Sequence, residues 1–146
     1  MAEQITNQPH QPVTVLVVDD DQNILKSLTM VLEDEGYRVL QAPDGLVALN
    51  ILSAQTALLI VLTDHHMPVL DGPGLLRRVL AEPALVSGRA YVYMTAGRGH
   101  LSPDVHQLLA TLEAPVLYKP FGVDDVLDAI EAAAYRLRSA ERTEAS

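Results

Sequence analysis

Five short apolar runs punctuate the chain, at residues 13–18, 37–41, 58–63, 90–94 and 115–118. The first, VTVLVV, and the third, LLIVLT, are almost continuously apolar, the pattern of strands covered on both faces. A segment with helical spacing follows each run. Within 22–35, Ile24, Leu25, Leu28, Val31 and Leu32 share one face, and Gly36 stands where a C-terminal cap belongs. Residues 44–54 repeat the pattern with Leu46, Val47, Leu49 and Ile51 or Leu52. A short third helix is predicted over 74–81. Ser102-Pro103-Asp104 reads as a helix start: a capping serine, a proline in the first turn and an acid near the positive end. The last helix is predicted over 123–137, with Val126, Leu127, Ile130, Ala134 and Leu137 inward.

Strand and helix alternating five times predict an α/β fold, a doubly wound parallel sheet with helices on both faces. Residues 1–12, MAEQITNQPHQP, read as a disordered arm, and 139–146 as a frayed polar tail. One domain remains over 13–138. Ligands of such sheets bind beyond the carboxyl ends of the strands. The residues that end each strand are therefore the candidates for chemistry.

The first strand ends in Asp19-Asp20-Asp21. Asp21 is placed to cap the helix that begins near Gln22, and Asp20 to favour its positive end. Three adjacent acids exceed what capping needs and suit a hard cation such as Mg²⁺, which takes oxygen ligands. The third strand ends in Asp64, an ionisable group that has just left the apolar layer. Its plainer reading is a solvated strand-exit aspartate. Met67-Pro68 and Asp71-Gly72 then signal a turn and the opening of the third helix. The fourth strand ends Thr95-Ala96-Gly97. A threonine hydroxyl there can donate to a phosphate oxygen, although a β-branched strand residue needs no such reason. Ala96 leaves room, and Gly97 and Gly99 make the loop supple. The fifth strand ends Lys119-Pro120. Lys119 can reach an anion as a point charge or simply lie in solvent. Pro120 forces a tight exit that suits a cis bond.

Composition narrows the function. The 146 residues are 49% hydrophobic and 20% charged, enough for one soluble core. No apolar run approaches the ~20 residues of a membrane helix, and the start lacks a signal-peptide layout, so the cytoplasm is expected and no membrane partner is. With no cysteine, disulfides and thiol chemistry are excluded. A net charge of −9 argues against direct nucleic-acid binding. Lys26 and Lys119 are the only lysines, which makes a lysine at a strand end notable. Carboxylates at strands one and three, a hydroxyl at strand four and a lysine at strand five converge on one edge. That set suits phosphoryl transfer, where catalysis is mostly positioning and charge neutralisation.

The pieces VLVVDDD, LTDHHMPVLDG, YMTAG and LYKPF, in that order, resemble the receiver domain of two-component response regulators, in particular the stand-alone chemotaxis type. The resemblance covers about Val13 to Leu137. It implies a flavodoxin-like (βα)5 sheet in the order 2-1-3-4-5. It implies Asp64 as phosphoacceptor, with Mg²⁺ held by Asp19, Asp20, Asp64 and the backbone carbonyl of His66. Thr95, Ala96 and Lys119 would meet the phosphate. The donor would be a sensor histidine kinase or a histidine phosphotransfer protein, and the output contact with a downstream protein effector. Only self-phosphorylation and self-dephosphorylation are expected, not turnover of a substrate. Homodimerisation through the fourth helix, fifth strand and fifth helix is also implied, on a face that includes Val105, Leu109, Val116 and Tyr135. The family's switch places an aromatic three residues before the lysine, and here that position is Val116. Tyr118 lies beside the lysine with no assigned role. His66 is expected at the pocket mouth, His100 and His106 on the surface.

Two other readings compete. Asp19 and Asp21 echo the DxD signature of haloacid-dehalogenase-type phosphatases, but Gln22 and Asn23 stand where a small or hydroxyl residue is usual. Val116 leaves room for a pseudo-receiver, a binding module that works without phosphorylation.

Overall fold

A computed structural model describes residues 13–96 and 100–145, with side chains to residue 141. The expected arm at 1–12 and the supple glycines Gly97 and Gly99 lie outside the described residues. The strands are β1 (Thr14–Val18), β2 (Arg38–Ala42), β3 (Leu59–Asp64), β4 (Arg89–Thr95) and β5 (Val116–Tyr118). The helices are α1 (Gln22–Asp34), α2 (Gly45–Ala54), α3 (Gly72–Leu80), α4 (Pro83–Val86), α5 (Pro103–Leu112) and α6 (Val123–Ala145). All strands pair in parallel, in the order β2-β1-β3-β4-β5. The doubly wound sheet expected from the alternation is present.

The apolar alternation splits the core into two layers. On one face Leu16, Val18, Leu59, Val61, Tyr91 and Tyr93 meet α2, α3 and α5. On the other, Val15, Val17, Ile60, Leu62, Val92 and Met94 meet α1 and α6. β1 and β3 are buried at every position, which is why their sequences show no polar alternation. Each such Leu or Ile contributes roughly 1.5–3 kcal/mol of burial.

Local signals set the helix ends. The side chains of Asp21, Asp44, Asp71 and Ser102 each accept from backbone N–H groups in the first turn of α1, α2, α3 and α5. Gly36 follows α1 at φ +94°, a conformation that favours glycine.

Four features differ from the sequence expectation. α3 starts at Gly72 rather than residue 74, because Asp71 caps it. The one-turn helix α4 follows Glu82, with Pro83 in its first position; four residues are too few to show a period. α6 runs to Ala145 through the stretch expected to fray. Apolar spacing stops at Leu137, but Arg, Glu and Ala beyond it are good helix formers. Leu46, counted in the inward pattern of α2, is 42% exposed.

Candidate functional site

The strand-end residues do meet. Asp19 follows β1, is fully buried, and accepts from the Asp21 N–H at 2.9 Å. Asp20 is exposed beside it. Asp64 closes β3 and is 8% exposed. Carboxylate oxygens of Asp19, Asp20 and Asp64 all lie within 4.8 Å of one another. Lys119, after β5, places its Nζ 3.2 Å from Asp19 Oδ2 and 3.1 Å from Asp64 Oδ1. The parallel register brings the carboxyl ends of β1, β3, β4 and β5 side by side, and this turns distant sequence positions into one pocket.

The charge balance is uneven. Among the described residues, three carboxylates face one ammonium. Burial pushes the Asp19 carboxyl above its ordinary range, and the Asp64 charge adds to this. The Asp21 N–H and Lys119 oppose the shift without cancelling it. For Lys119, burial alone favours the neutral amine. Its bonds and charge contacts with Asp64 and Asp19 outweigh that and raise its pKa. The pocket thus keeps its lysine charged and retains an excess of acid. Such a set fits a hard divalent cation: oxygen donors lie in reach of one another and, among the described residues, outnumber the cations that face them.

The other expected residues fall around this centre. Thr95 ends β4, buried, and its carbonyl accepts from the Lys119 N–H at 2.8 Å. Ala96 is exposed beside it. The Lys119–Pro120 bond is cis. Val116 is half-buried and pairs with Tyr93, whereas Tyr118 pairs with Thr95 and is 43% exposed. His66, His100 and His106 are exposed. Of the residues implied as a dimer face, Val105 and Leu109 are buried, while Tyr135 is exposed.

One partnership carried little sequence signal. The His65 ring, next to Asp64, bonds through Nδ1 to the Tyr93 hydroxyl. The rings meet edge-on, with centroids 5.5 Å apart. Burial lowers the His65 pKa, helped by His66, and burial raises that of Tyr93. Tyr93 reads in the sequence as one more apolar strand residue. The available clue is that a buried tyrosine hydroxyl needs a partner.

Asp21 is diverted from the pocket. Its Oδ1 accepts from the N–H groups of Asn23 at 2.9 Å and Ile24 at 3.4 Å. The acid that joins Asp19 is Asp20, so the DxD spacing of a dehalogenase-type phosphatase is not the pair that faces Asp64.

Comparison with known proteins agrees with this geometry. Residues 15–131 match the response regulator receiver domain. The chain is 32% identical over 118 residues to sporulation initiation phosphotransferase F of Bacillus subtilis, covering 80% of this chain and 90% of that one. It is 31% identical to transcriptional regulatory protein GlrR of Escherichia coli, covering 85% of this chain but 27% of that longer protein. The chemotaxis protein CheY4 of Vibrio cholerae superposes with a TM-score of 0.70 at 26% identity, over 84% of this chain and 98% of that one. Neither the phosphatase nor the pseudo-receiver reading gains support from these likenesses. Among the described residues no helix is long and apolar enough to cross a membrane. Sheet order, acid pocket and sequence match converge on one assignment: the chain belongs to the response regulator receiver domains of two-component systems.

Proposed function

We propose that Asp64 accepts a phosphoryl group from a phosphohistidine on a sensor kinase or phosphotransfer protein, and that the acyl phosphate alters contacts with a downstream protein. The observation that carries this is the meeting of Asp19, Asp20 and Asp64 within 4.8 Å, with Lys119 on two of them. An Asp64 Oδ attacks phosphorus, the P–N bond to the donor imidazole breaks, and the imidazole leaves with the bond's electron pair. An ionised aspartate is a weak but ready nucleophile at neutral pH. Its obstacle is the charge on the incoming group.

Lys119 offsets part of that repulsion, and its salt bridges hold Asp64 oriented. Asp19, Asp20, Asp64 and the His66 carbonyl would hold Mg²⁺, which when bound supplies charge neutralisation for the phosphoryl oxygens. Thr95 and the Ala96 backbone line the β4 side, where phosphate oxygens would be met. An apolar groove of about 560 Å³ between α1 and the β5–α6 turn opens beside Lys119 and Phe121. It offers a donor protein a surface next to the acceptor. The reaction modifies the chain itself and turns over no external substrate.

Incubation with Mg²⁺ and acetyl phosphate, read by intact mass, tests the proposal. A single added phosphate on the wild type and none on Asp64→Asn is the expected result. An unmodified wild type, or a phosphate that persists in Asp64→Asn, would sink it.

A further inference from the structure

Tyr93 is fully buried on β4, yet its hydroxyl reaches the residue next to the acceptor. The contact is crowded. The His65 carbonyl accepts from the Gly72 N–H at 2.9 Å. A Cβ at Gly72 would meet the Asp64 carbonyl at 2.6 Å, the Tyr93 hydroxyl at 2.7 Å and His65 Cα at 3.0 Å. The end of β3, the start of α3 and the Tyr93 ring are thus packed without slack, so none moves alone.

The other end of Tyr93 points away from the pocket chemistry. Tyr93 is the register partner of Val116 on β5, and its N–H donates to the Pro115 carbonyl at 2.9 Å. It belongs to the same apolar cluster as Leu101, Val105 and Leu109, which seat α5. Val116 has no ring to offer in this layer. Tyr118, at the strand end, is 43% exposed. The buried aromatic between the acceptor and the α5–β5 face is Tyr93.

We propose that the His65–Tyr93 hydrogen bond is the coupling through which phosphorylation of Asp64 repositions the α5–β5 face. Both are positioning residues, and the inference rests on Asp64 being the phosphoacceptor. A phosphate on Asp64 shifts the adjoining His65 backbone. The buried Tyr93 hydroxyl then either follows its partner or loses it. Losing it biases the equilibrium about tenfold, because an unpaired buried hydroxyl is costly. Movement of Tyr93 is transmitted to Val116 and the α5 contacts.

The test pairs intact mass with amide NMR of the 146-residue chain, with and without Mg²⁺ and acetyl phosphate. In the wild type, phosphate addition should move the amide signals of Val105, Leu109 and Val116. Tyr93→Phe keeps the ring and should take phosphate at the wild-type rate, with those movements reduced about fivefold, the worth of one net hydrogen bond. His65→Ala should reduce them equally, and the double variant no further, as for one shared contact. Undiminished movements in phosphorylated Tyr93→Phe would overturn the coupling while leaving Asp64 as acceptor. So would additive losses in the double variant, or a loss that appears in Tyr118→Phe instead. A wild type that takes no phosphate overturns both.

Discussion

The two ends of the sheet treat buried charge in opposite ways. At the amino end, Arg89 opens β4 and donates to three backbone carbonyls: Ala57 at 3.1 Å, Leu52 at 3.1 Å and Gln55 at 2.7 Å. Leu52 belongs to the last turn of α2 and Gln55 caps it, so the cation also sits at the negative end of the helix. Two of its nitrogens find carbonyl acceptors there, while the buried Nε has no hydrogen-bond partner among the described residues. At the carboxyl end, Asp19, Asp20 and Asp64 face Lys119 with an excess of acid. One end closes a fold. The other stays short of positive charge among the described residues, a shortfall that a divalent cation would meet. A charged residue in a sheet crevice stabilises or functions according to whether its neighbours already complete it.

The sharpest break of this contrast is Arg89→Ala. It leaves three carbonyls without their charged donor and should cost about 2–3 kcal/mol of unfolding free energy. Urea denaturation measures that loss, while the fraction of folded protein that takes phosphate should stay unchanged. A parallel loss of phosphorylation would mean that the two ends are not independent. Gly72→Ala at the functional end comes next, at about 2 kcal/mol by overpacking. Its new methyl would strike the Asp64 carbonyl and the Tyr93 hydroxyl. Unlike Arg89→Ala, it should slow phosphate uptake by the folded molecules, and a stability loss with no kinetic effect would show that this packing does not bear on the acceptor.

The same contrast explains what the sequence revealed. Strand ends were legible because β1 and β3 are apolar at nearly every position, so the first ionisable residue after each marks the crevice. Asp19 and Asp64 stand at the crevice for that reason, while Thr95 and Lys119 mark the ends of β4 and β5. Asp21 was legible as a cap. Three features were hidden. Arg89 looks like any charge before a strand, because its partners are carbonyls, which carry no sequence signature. The His65–Tyr93 bond joins positions 28 apart and shows no periodicity. The extension of α6 past Leu137 has no apolar period in the sequence to betray it. Hydrophobic pattern reports layers; backbone partners and buried hydroxyls leave no such trace.

Asp19→Asn tests the surplus of acid directly and has the opposite sign. Burial raises the Asp19 pKa in the folded state. The folded chain therefore holds that proton more tightly than the unfolded chain, and stability is lost as pH rises from the ordinary carboxylate range through the raised value. Removing the charge should stabilise the metal-free domain at neutral pH by about 1 kcal/mol, as relief of functional strain commonly does. The advantage should shrink as the pH falls through the raised value and wild-type Asp19 takes up its proton. Saturating Mg²⁺ should reverse the order. At a hundred times its Kd a ligand stabilises by about 2.7 kcal/mol, and the variant should gain less than the wild type. Thermal melts with and without Mg²⁺ at two pH values decide it, and a variant less stable than wild type without metal would contradict the charge surplus.

The smallest effect isolates charge from burial. Arg77 on α3 reaches Asp104 on α5 at 3.8 Å, with the two side chains 53% and 85% exposed. The pair has opposite signs, like Lys119 and Asp64, but lies in water. Exposed pairs contribute little because solvent screens them and holding two side chains still costs entropy. Arg77→Ala should therefore change stability by no more than about 0.5 kcal/mol, and less at high salt. Salt should leave the effect of Arg89→Ala largely intact, since that cation is partly shielded and bonded to carbonyls rather than to a counter-ion. If Arg77→Ala proved as damaging as Arg89→Ala, the number of ion pairs rather than the completion of buried groups would govern this fold. The distinction between the two ends of the sheet would then lose its physical basis.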